Sequence, residues 1–509
     1  MARHPERAPA VGDALVVGAA CLAAAVRILL LSAAFPLFNS TDETYHYDTV
    51  VKYSRGSLPD SGAMERESAQ NIVLFGSPEY VYGPERFGGR FFRPAWTLPE
   101  EAARSLERYQ DVVLLKINSE VMQPPVYYVL AASWYRLGRA FGLRAGAAIY
   151  WIRFLNVFSY VLFMAVAYWG TRALFPGRRL LAAGLMALLA LLPQDVFYGI
   201  SNDTASPLFF GGAFIALMLL WRRKDAHWST YAAAGLLAAA CVLTKFTNAA
   251  ILLVLLVVAF DGLVWLREEG KGEEGLLFGA IMIAACAVPL AVWCARSNRV
   301  FGDPFGVALK LQQTGWAVRP WLERWRHPLW SPGGLLLDWD QLLARLWRGE
   351  YLWHGRSMAT PMDHVYSISA ALFVGASFWD AFLRRGPADA RERFVARAAL
   401  LSFFASAALL AYWSVSYDFG NSVYPSRASP FVVSGRLILG ALLPFFWVYL
   451  NGMEIFFAAL RWKRGAAVFL VALGLGMCVS QAVVTARVFS SPYNLFHLPS
   501  SVPEAPKAD

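Results

Sequence analysis

Charged residues are scarce in this chain of 509 residues. They make up 16% of the sequence, whereas soluble domains carry about 25%. Hydrophobic residues reach 57%, and the mean hydropathy is +0.42. This balance excludes an ordinary soluble domain. Because several apolar runs reach the roughly 20 residues that a helix needs to cross hydrocarbon, the sequence predicts a polytopic membrane protein embedded in a lipid bilayer.

Cysteine is scarce as well, and its positions exclude a disulfide framework. Each cysteine falls inside an apolar run, where a thiol behaves as a small core residue rather than as part of a disulfide or a metal cage. The five are Cys21, Cys241, Cys286, Cys294 and Cys478. The sequence also lacks an internal repeat, and it lacks low-complexity segments beyond the polar tail from Ser490.

Acidic residues are outnumbered, which leaves a formal net charge of +10. In a soluble protein this excess would suggest nucleic acid, but here the basic residues stand in short connectors between apolar runs, which is the positive-inside pattern. We therefore expect no nucleic-acid partner, and we expect a retained first helix with a cytoplasmic N-terminus behind Arg3 and Arg7. The predicted cytoplasmic connectors are Arg172 to Arg179, Arg222 to His227, Arg267 to Glu274, Arg384 to Arg397 and Arg461 to Arg464.

The apolar runs predict about 11 transmembrane helices. They are 14–35, 148–169, 180–198, 204–222, 229–245, 248–266, 275–295, 364–383, 396–415, 431–455 and 465–488. Another helix follows Gln123-Pro124-Pro125 and ends near Phe141. If it crossed, the later basic connectors would face outside, so we predict that it lies in the interface or re-enters. The C-terminus is then outside.

Two large external loops separate the predicted spans, at 36–147 and 296–363. The second is predicted to contain an interfacial helix, because Leu335 to Leu346 alternates apolar and charged residues at helical spacing. It also holds Trp316, Trp321, Trp325, Trp330, Trp339, Trp347 and Trp353. These rings indicate either an aromatic belt or a surface that stacks on sugar or guides a lipid tail. We expect a catalytic module at 1–310 and C-terminal helices at 364–509.

The acidic stretch Asn39 to Tyr47, with the sequence NSTDETYHY, follows the first apolar run. We interpret it as a reaction centre in which Asp42 is the general base of a direct inverting displacement. Glu43 would orient the acceptor, the molecule whose hydroxyl proton Asp42 removes, or it would adjust the pKa of Asp42. The same pair could instead be a helix cap and a first-turn acid. A divalent metal ion on Asp42, Glu43 and His46 is an alternative, although these spacings lack a clear further ligand.

Further charged residues stand at the external ends of predicted spans: Arg153, Asp203, Lys245 and Arg436. Charges within reach of lipid usually face the interior of the bundle or an aqueous cavity. Singly, each could be a cap, a snorkelling side chain or half of a buried pair. Together with Asp42 on one membrane face, they suit a lipid phosphate and a group transferred from it.

The ordered motifs resemble the GT-C superfamily of integral-membrane glycosyltransferases, especially the branch of the protein O-mannosyltransferases and the lipid A aminoarabinose transferase. They are Asp42-Glu43, Gln123-Pro124-Pro125, Arg153, Ser201-Asn202-Asp203, Leu243-Thr244-Lys245, Asn298 to Gly306 and, further on, Gly435-Arg436-Leu437. Apart from that last motif, the resemblance covers roughly the first 310 residues. The family often has Lys or His where this chain has Gln123.

This resemblance implies a GT-C-like, all-α bundle in which the acidic residue of the first external loop acts at the reaction centre. It also implies a polyprenyl-phosphate-linked monosaccharide as the donor. The residues then predicted to bind substrate or lipid phosphate are His46, Gln123, Arg153, Asp203, Lys245 and Arg436.

The predicted function is transfer of a monosaccharide to an acceptor hydroxyl at the external, periplasmic face, with a glycan, a lipid-linked oligosaccharide or a protein as acceptor. Two alternatives remain. The chain could be a transporter or flippase for lipid-linked sugars, which the lack of an inverted hydropathy repeat disfavours. It could also be a non-catalytic subunit of an envelope-glycan assembly complex.

Overall fold

Helices form the framework of the protein. The computed structural model describes residues 11–38, 42–99, 101, 105–223, 226–384, 390–422 and 424–499. Its α-helices are α1 (Val11–Ala34), α2 (Glu43–Ser54), α3 (Arg66–Phe75), α4 (Glu107–Leu114), α5 (Pro125–Ala140), α6 (Ala145–Leu174), α7 (Arg179–Leu191), α8 (Ser206–Arg222), α9 (Trp228–Val242), α10 (Ala250–Glu268), α11 (Gly272–Phe301), α12 (Val307–Thr314), α13 (Trp321–Arg324), α14 (Pro332–Arg348), α15 (Met362–Phe378), α16 (Ala390–Ser416), α17 (Leu442–Ala459) and α18 (Gly465–Thr485).

Strands are confined, in the described chain, to two short antiparallel pairs. Strand β1 (Ala317–Val318) pairs with β4 (Tyr417–Asp418), and β2 (Leu352–Trp353) pairs with β3 (Arg356–Ser357) in a hairpin. Several predicted features lie outside the described residues, namely Arg3, Arg7, Asn39, Ser40, Thr41, Lys224, Arg385 and the end of the polar tail.

Nine helical segments of the described chain are long and apolar enough to cross a membrane. They are Asp13–Ala34, Ala145–Leu174, Asn202–Arg222, Phe246–Glu268, Gly272–Phe301, Met362–Leu383, Ala390–Ser416, Gly435–Ala459 and Gly465–His497. Two shorter apolar helices, α7 and α9, occupy the two remaining predicted positions. The predicted all-α membrane fold is therefore confirmed, with nine candidate spans and two shorter apolar helices at the eleven predicted positions. Helix α5, which was predicted to lie in the interface or to re-enter, is not one of the nine. The sidedness and the module boundaries stay predictions.

The bundle is built around α17, most of whose residues are buried. It packs against α15, α16, α7 and α8, while α1 packs against α6 and α9 packs against α11. Proline stands in the first turn of α5, α8 and α14, where a missing N–H costs no hydrogen bond. Burial of these apolar faces joins the spans in one hydrophobic core.

A cap of shorter helices covers one end of the bundle. There α2 packs on α5, and α5 packs on the start of α6. The predicted interfacial helix of the second loop is α14, which begins at Ser331, whose hydroxyl accepts from the N–H of Gly334 at 3.0 Å. Leu343 and Leu346 are buried, but Leu336, which was predicted on the same face, is exposed. Asp338, which was predicted on the opposite face, is buried. The loop segments and the ends of the spans meet at this cap.

A glycine sets the distance between α15 and α17. A Cβ atom at Gly452 would overlap the carbonyl oxygen of Phe373, which is backbone and cannot rotate away. We expect Gly452→Ala to lower the stability of the fold by about 1–3 kcal/mol, read as the thermal unfolding midpoint in detergent. Gly212→Ala in α8 is the matched control, since a Cβ there meets no atom within 4 Å. An unchanged midpoint for Gly452→Ala would contradict this packing.

Candidate active site

Asp42 begins α2 in a left-handed backbone conformation, with φ 66° and ψ 2°. Asp is one of the few residues that tolerate this region. Its side chain makes no capping hydrogen bond. Instead, one carboxylate oxygen lies 2.8 Å from Nη2 of Arg436 and the other lies 3.9 Å from Nζ of Lys310. The position is that of a cap, but the carboxylate is directed to two cations.

These contacts belong to a closed circuit of seven side chains, which we call the polar ring. In order they are Asp42, Arg436, Asp203, Ser201, His46, Glu120 and Lys310. The distances are 3.0 Å for Arg436–Asp203, 3.0 Å for Ser201–Asp203, 3.4 Å for His46–Ser201, 3.8 Å for His46–Glu120 and 3.1 Å for Lys310–Glu120. Lys245 adds an ion pair to Asp203 from the side.

Several chain segments meet to build the ring. Ser201 accepts from the N–H of Asp203 at 3.2 Å and so starts the 3₁₀ turn Asn202–Ala205 that leads into α8. Lys245 precedes a second such turn, Phe246–Ala249, and the preceding Leu243 accepts from the N–H of Val126 at 3.0 Å. The Pro124-Pro125 corner is thereby tied to the loop that carries Lys245.

Among the described residues, the ring is most exposed on the side of Asp42 and Lys310. The side chains of Asp203 and His46 are 0% and 1% exposed, whereas those of Asp42 and Lys310 are 21% and 33% exposed. Asp42 and Lys310 therefore form the opening through which a ligand would reach the buried members. The remaining charges are held where desolvation strengthens their interactions.

The ring holds ionised acids beside a neutral histidine. Burial opposes ionisation of Asp42, but Lys310 and Arg436 hold its pKa well below the usual range. Burial likewise opposes the charge of Lys310, but Asp42 and Glu120 raise its pKa. Burial lowers the pKa of His46, and the neutral ring fits its contacts, with Nδ1 2.8 Å from the Tyr128 hydroxyl. Asp42 is therefore a carboxylate at neutral pH.

Glu43 and Arg153, which we predicted at the substrate, lie in a second layer beneath Asp42. They form a bidentate pair, with both N–O distances 2.7 Å, and both are buried. Arg153 also donates to the carbonyls of Ser32, Phe35 and Pro36, while Glu43 accepts from the N–H of Ile200. The structure does not bring this pair to the ring. It ties α1, α2 and α6 together.

Gln123 lies beside the ring rather than in it. Its side-chain carbonyl accepts from Nδ2 of Asn202 at 3.4 Å, next to Asp203. Of the other residues predicted to bind substrate, His46, Asp203 and Arg436 are ring members. Lys245, also predicted to bind substrate, forms an ion pair with Asp203 beside the ring.

Three charged residues of the cluster were missed. Glu120 stands three positions before Gln123, and Lys310 stands four positions after the motif that ends at Gly306. Glu350 lies 3.7 Å from Nε of Arg436 and accepts from the hydroxyl of Ser434. For Glu120 and Lys310, the sequence signal was their position close to the Gln123-Pro124-Pro125 motif and to the motif that ends at Gly306. Glu350 follows an interfacial helix and carried no such signal.

Asp42, Glu43 and His46 do not fit the metal site that was one alternative. Their polar atoms are directed to Arg436, Arg153 and Tyr128 respectively, so they do not converge on one point. Across the part of the chain that the structure describes, no group of three or more His, Cys, Asp and Glu side chains is arranged to hold a metal ion.

Two adjacent carboxylates should thus respond differently to the same substitution. Glu43→Gln leaves the buried guanidinium of Arg153 without its counter-charge, at a cost of about 3–5 kcal/mol. Asp42→Asn is the matched control, because Asn also tolerates the left-handed region and Arg436 keeps its contact with Asp203. We expect thermal unfolding in detergent to show a large drop for Glu43→Gln only. Equal drops would contradict the separation into two layers.

Two solved structures match this chain over most of its length, at low sequence identity and low structural similarity. One is ArnT from Cupriavidus metallidurans bound to undecaprenyl phosphate, at 14% identity and a TM-score of 0.35, covering 88% of this chain and 78% of that one. The other is the Archaeoglobus fulgidus oligosaccharyltransferase in its apo form, at 12% identity and a TM-score of 0.35, covering 93% of this chain and 56% of that one.

No curated protein matches the chain significantly. The family model DUF2142, described as a predicted membrane protein, matches residues 26–306. This match extends from α1 to the residue before α12, the helix that carries Lys310, and it includes Asp42, Asp203 and Lys245. Since it covers more than half of the 509 residues, the chain belongs to the DUF2142 family of predicted membrane proteins.

Proposed function

We propose that this protein is a membrane glycosyltransferase that moves a monosaccharide from a polyprenyl-phosphate donor to an acceptor hydroxyl at the external face. The observation that carries the proposal is the position of Asp42, an ionised carboxylate at the opening of a buried ring of paired charges. A carboxylate placed there can take a proton from an acceptor hydroxyl. The motifs shared with GT-C glycosyltransferases support the same reaction.

The donor phosphate is proposed to bind Arg436 and Lys310. In the free protein, Asp42 contacts both cations. A phosphate that enters at the opening would replace Asp42 on them, and the planar guanidinium suits two phosphate oxygens at once. The donor phosphate would thus take the place of the Asp42 carboxylate on the two cations. Arg436 and Lys310 therefore have an anionic partner both before and after the donor binds.

Donor binding would also make Asp42 a stronger base. The pKa of Asp42 is low because Lys310 and Arg436 stabilise the carboxylate. When Lys310 and Arg436 bind the donor phosphate, they stabilise the Asp42 carboxylate less. The negative charge of the phosphate also lies close to the carboxylate. Both changes raise the pKa of Asp42. The carboxylate then becomes a stronger base only when a donor is present.

The chemical step is a single inverting displacement. The acceptor oxygen attacks the anomeric carbon while Asp42 takes the hydroxyl proton. The bond between the anomeric carbon and the phosphate oxygen breaks, and the electron pair leaves with the polyprenyl phosphate. Arg436 and Lys310 neutralise the charge that develops on the leaving phosphate. Glu43 and Arg153 support the segment that carries Asp42 and take no part in proton transfer.

The test is a transfer assay with purified protein and a panel of polyprenyl-phosphate sugars. We expect Asp42→Asn to lower the rate at least about 100-fold, as expected for loss of a general base, with the unfolding midpoint retained. Asp60→Asn is the matched control, because Asp60 is an exposed acid of the same loop. Equal transfer by wild type and Asp42→Asn would rule out the proposed base. Absence of transfer with any donor would favour transport or a scaffolding role.

A further inference from the structure

A cavity lined by cations and apolar side chains lies at the opposite end of the bundle from the polar ring. It has a volume of about 980 Å³ and lies between the start of α7 and the connection from α17 to α18. The chain runs from α7 to the turn of Asp203, and from Arg436 along α17 to this cavity. The two sites therefore lie at opposite ends of α7 and α17, separated by the bundle.

Positive charge dominates the lining of this cavity. Arg178 is already engaged, because it contacts Asn451 at 2.6 Å and forms an ion pair with Glu454. Arg179 and Lys463 are exposed, and within the described chain neither side chain has a hydrogen bond or an ion pair. Arg461 is exposed in the same way and also lines the cavity. Three cations thus face the cavity with their charge uncompensated.

Apolar side chains form the rest of the wall. Phe457 packs its ring edge-on against Trp462, with centroids 5.4 Å apart, and the Trp462 side chain is 51% exposed. Leu180, 39% exposed, extends the apolar surface along α7. A tryptophan at the end of a membrane span is typical of the headgroup layer. The cavity therefore offers cations at headgroup level and an apolar wall along the adjoining helices.

We infer that this cavity binds the headgroup of an anionic phospholipid. A phosphodiester matches the uncompensated cations, and an acyl chain matches the exposed apolar side chains of Trp462 and Leu180. A soluble anion would use the cations but would gain nothing from that wall. The site is independent of the polar ring, so it stands whether or not the protein transfers sugar.

The experiment measures binding of phosphatidylglycerol and of phosphatidylcholine with identical chains to the delipidated full-length protein in detergent. The double variant Arg179→Gln/Lys463→Gln removes two free cations. The matched control is Arg267→Gln/Lys271→Gln, two exposed cations of the α10–α11 connection at the same end of the bundle. Lys463→Gln alone, an exposed position, serves if the double variant does not fold. Glycerol phosphate serves as the soluble headgroup.

We expect tighter binding of phosphatidylglycerol than of phosphatidylcholine, with a loss of about fivefold for each cavity cation removed. The control variant should bind as wild type does, and glycerol phosphate should bind far more weakly than the lipid. Equal affinity for the two lipids, or equal losses in both double variants, would overturn the site in favour of general attraction to the membrane surface. Glycerol phosphate binding as tightly as the lipid would indicate a site for a soluble anion.

Discussion

The arrangement of the site depends on one guanidinium, that of Arg436, which joins the first loop to the helix bundle. It contacts Asp42 at 2.8 Å and Asp203 at 3.0 Å, and it lies at the start of the segment that forms the centre of the bundle. A buried cation is tolerated only when its counter-charges and hydrogen bonds are in place. The ion pair that neutralises Arg436 therefore also holds Asp42 in the polar ring.

Asp42 and Glu43 show how local backbone geometry separates two similar side chains. The left-handed conformation at Asp42 directs its carboxylate to the cations at the opening. Glu43, in the first turn of α2, points instead into the bundle and is fixed by Arg153. One carboxylate remains partly accessible to a ligand and the other supports the fold. Removing either one should consequently disturb a different property of the protein.

The spans could be predicted from the sequence because each depends on local composition. Long apolar runs must cross the membrane as helices, since the backbone must bond within its own segment. Membership of Asp203, Lys245 and Arg436 in one cluster could also be predicted, because charged residues at membrane ends need partners. The two shorter apolar helices, α7 and α9, could be predicted in the same way, because each lies in an apolar run.

The rest of the site could not be predicted because it depends on tertiary contacts. Glu120 and Lys310 lie in polar segments outside the apolar runs, where a charge is ordinary and gives no sign of burial. Arg153 looked like a ligand for phosphate, since the sequence does not show that Glu43 contacts it through two hydrogen bonds. Only the folded chain shows which charges pair with each other and which remain at the opening.

The most direct test of this account is the affinity of the protein for a polyprenyl phosphate, measured for wild type and Asp42→Asn with Asp60→Asn as the control. If Asp42 and the donor phosphate compete for Arg436 and Lys310, removal of the carboxylate charge should strengthen binding while transfer is lost. Asp60→Asn should bind as wild type does. Weaker or unchanged binding by Asp42→Asn would contradict the claim that the donor phosphate displaces Asp42 from these cations.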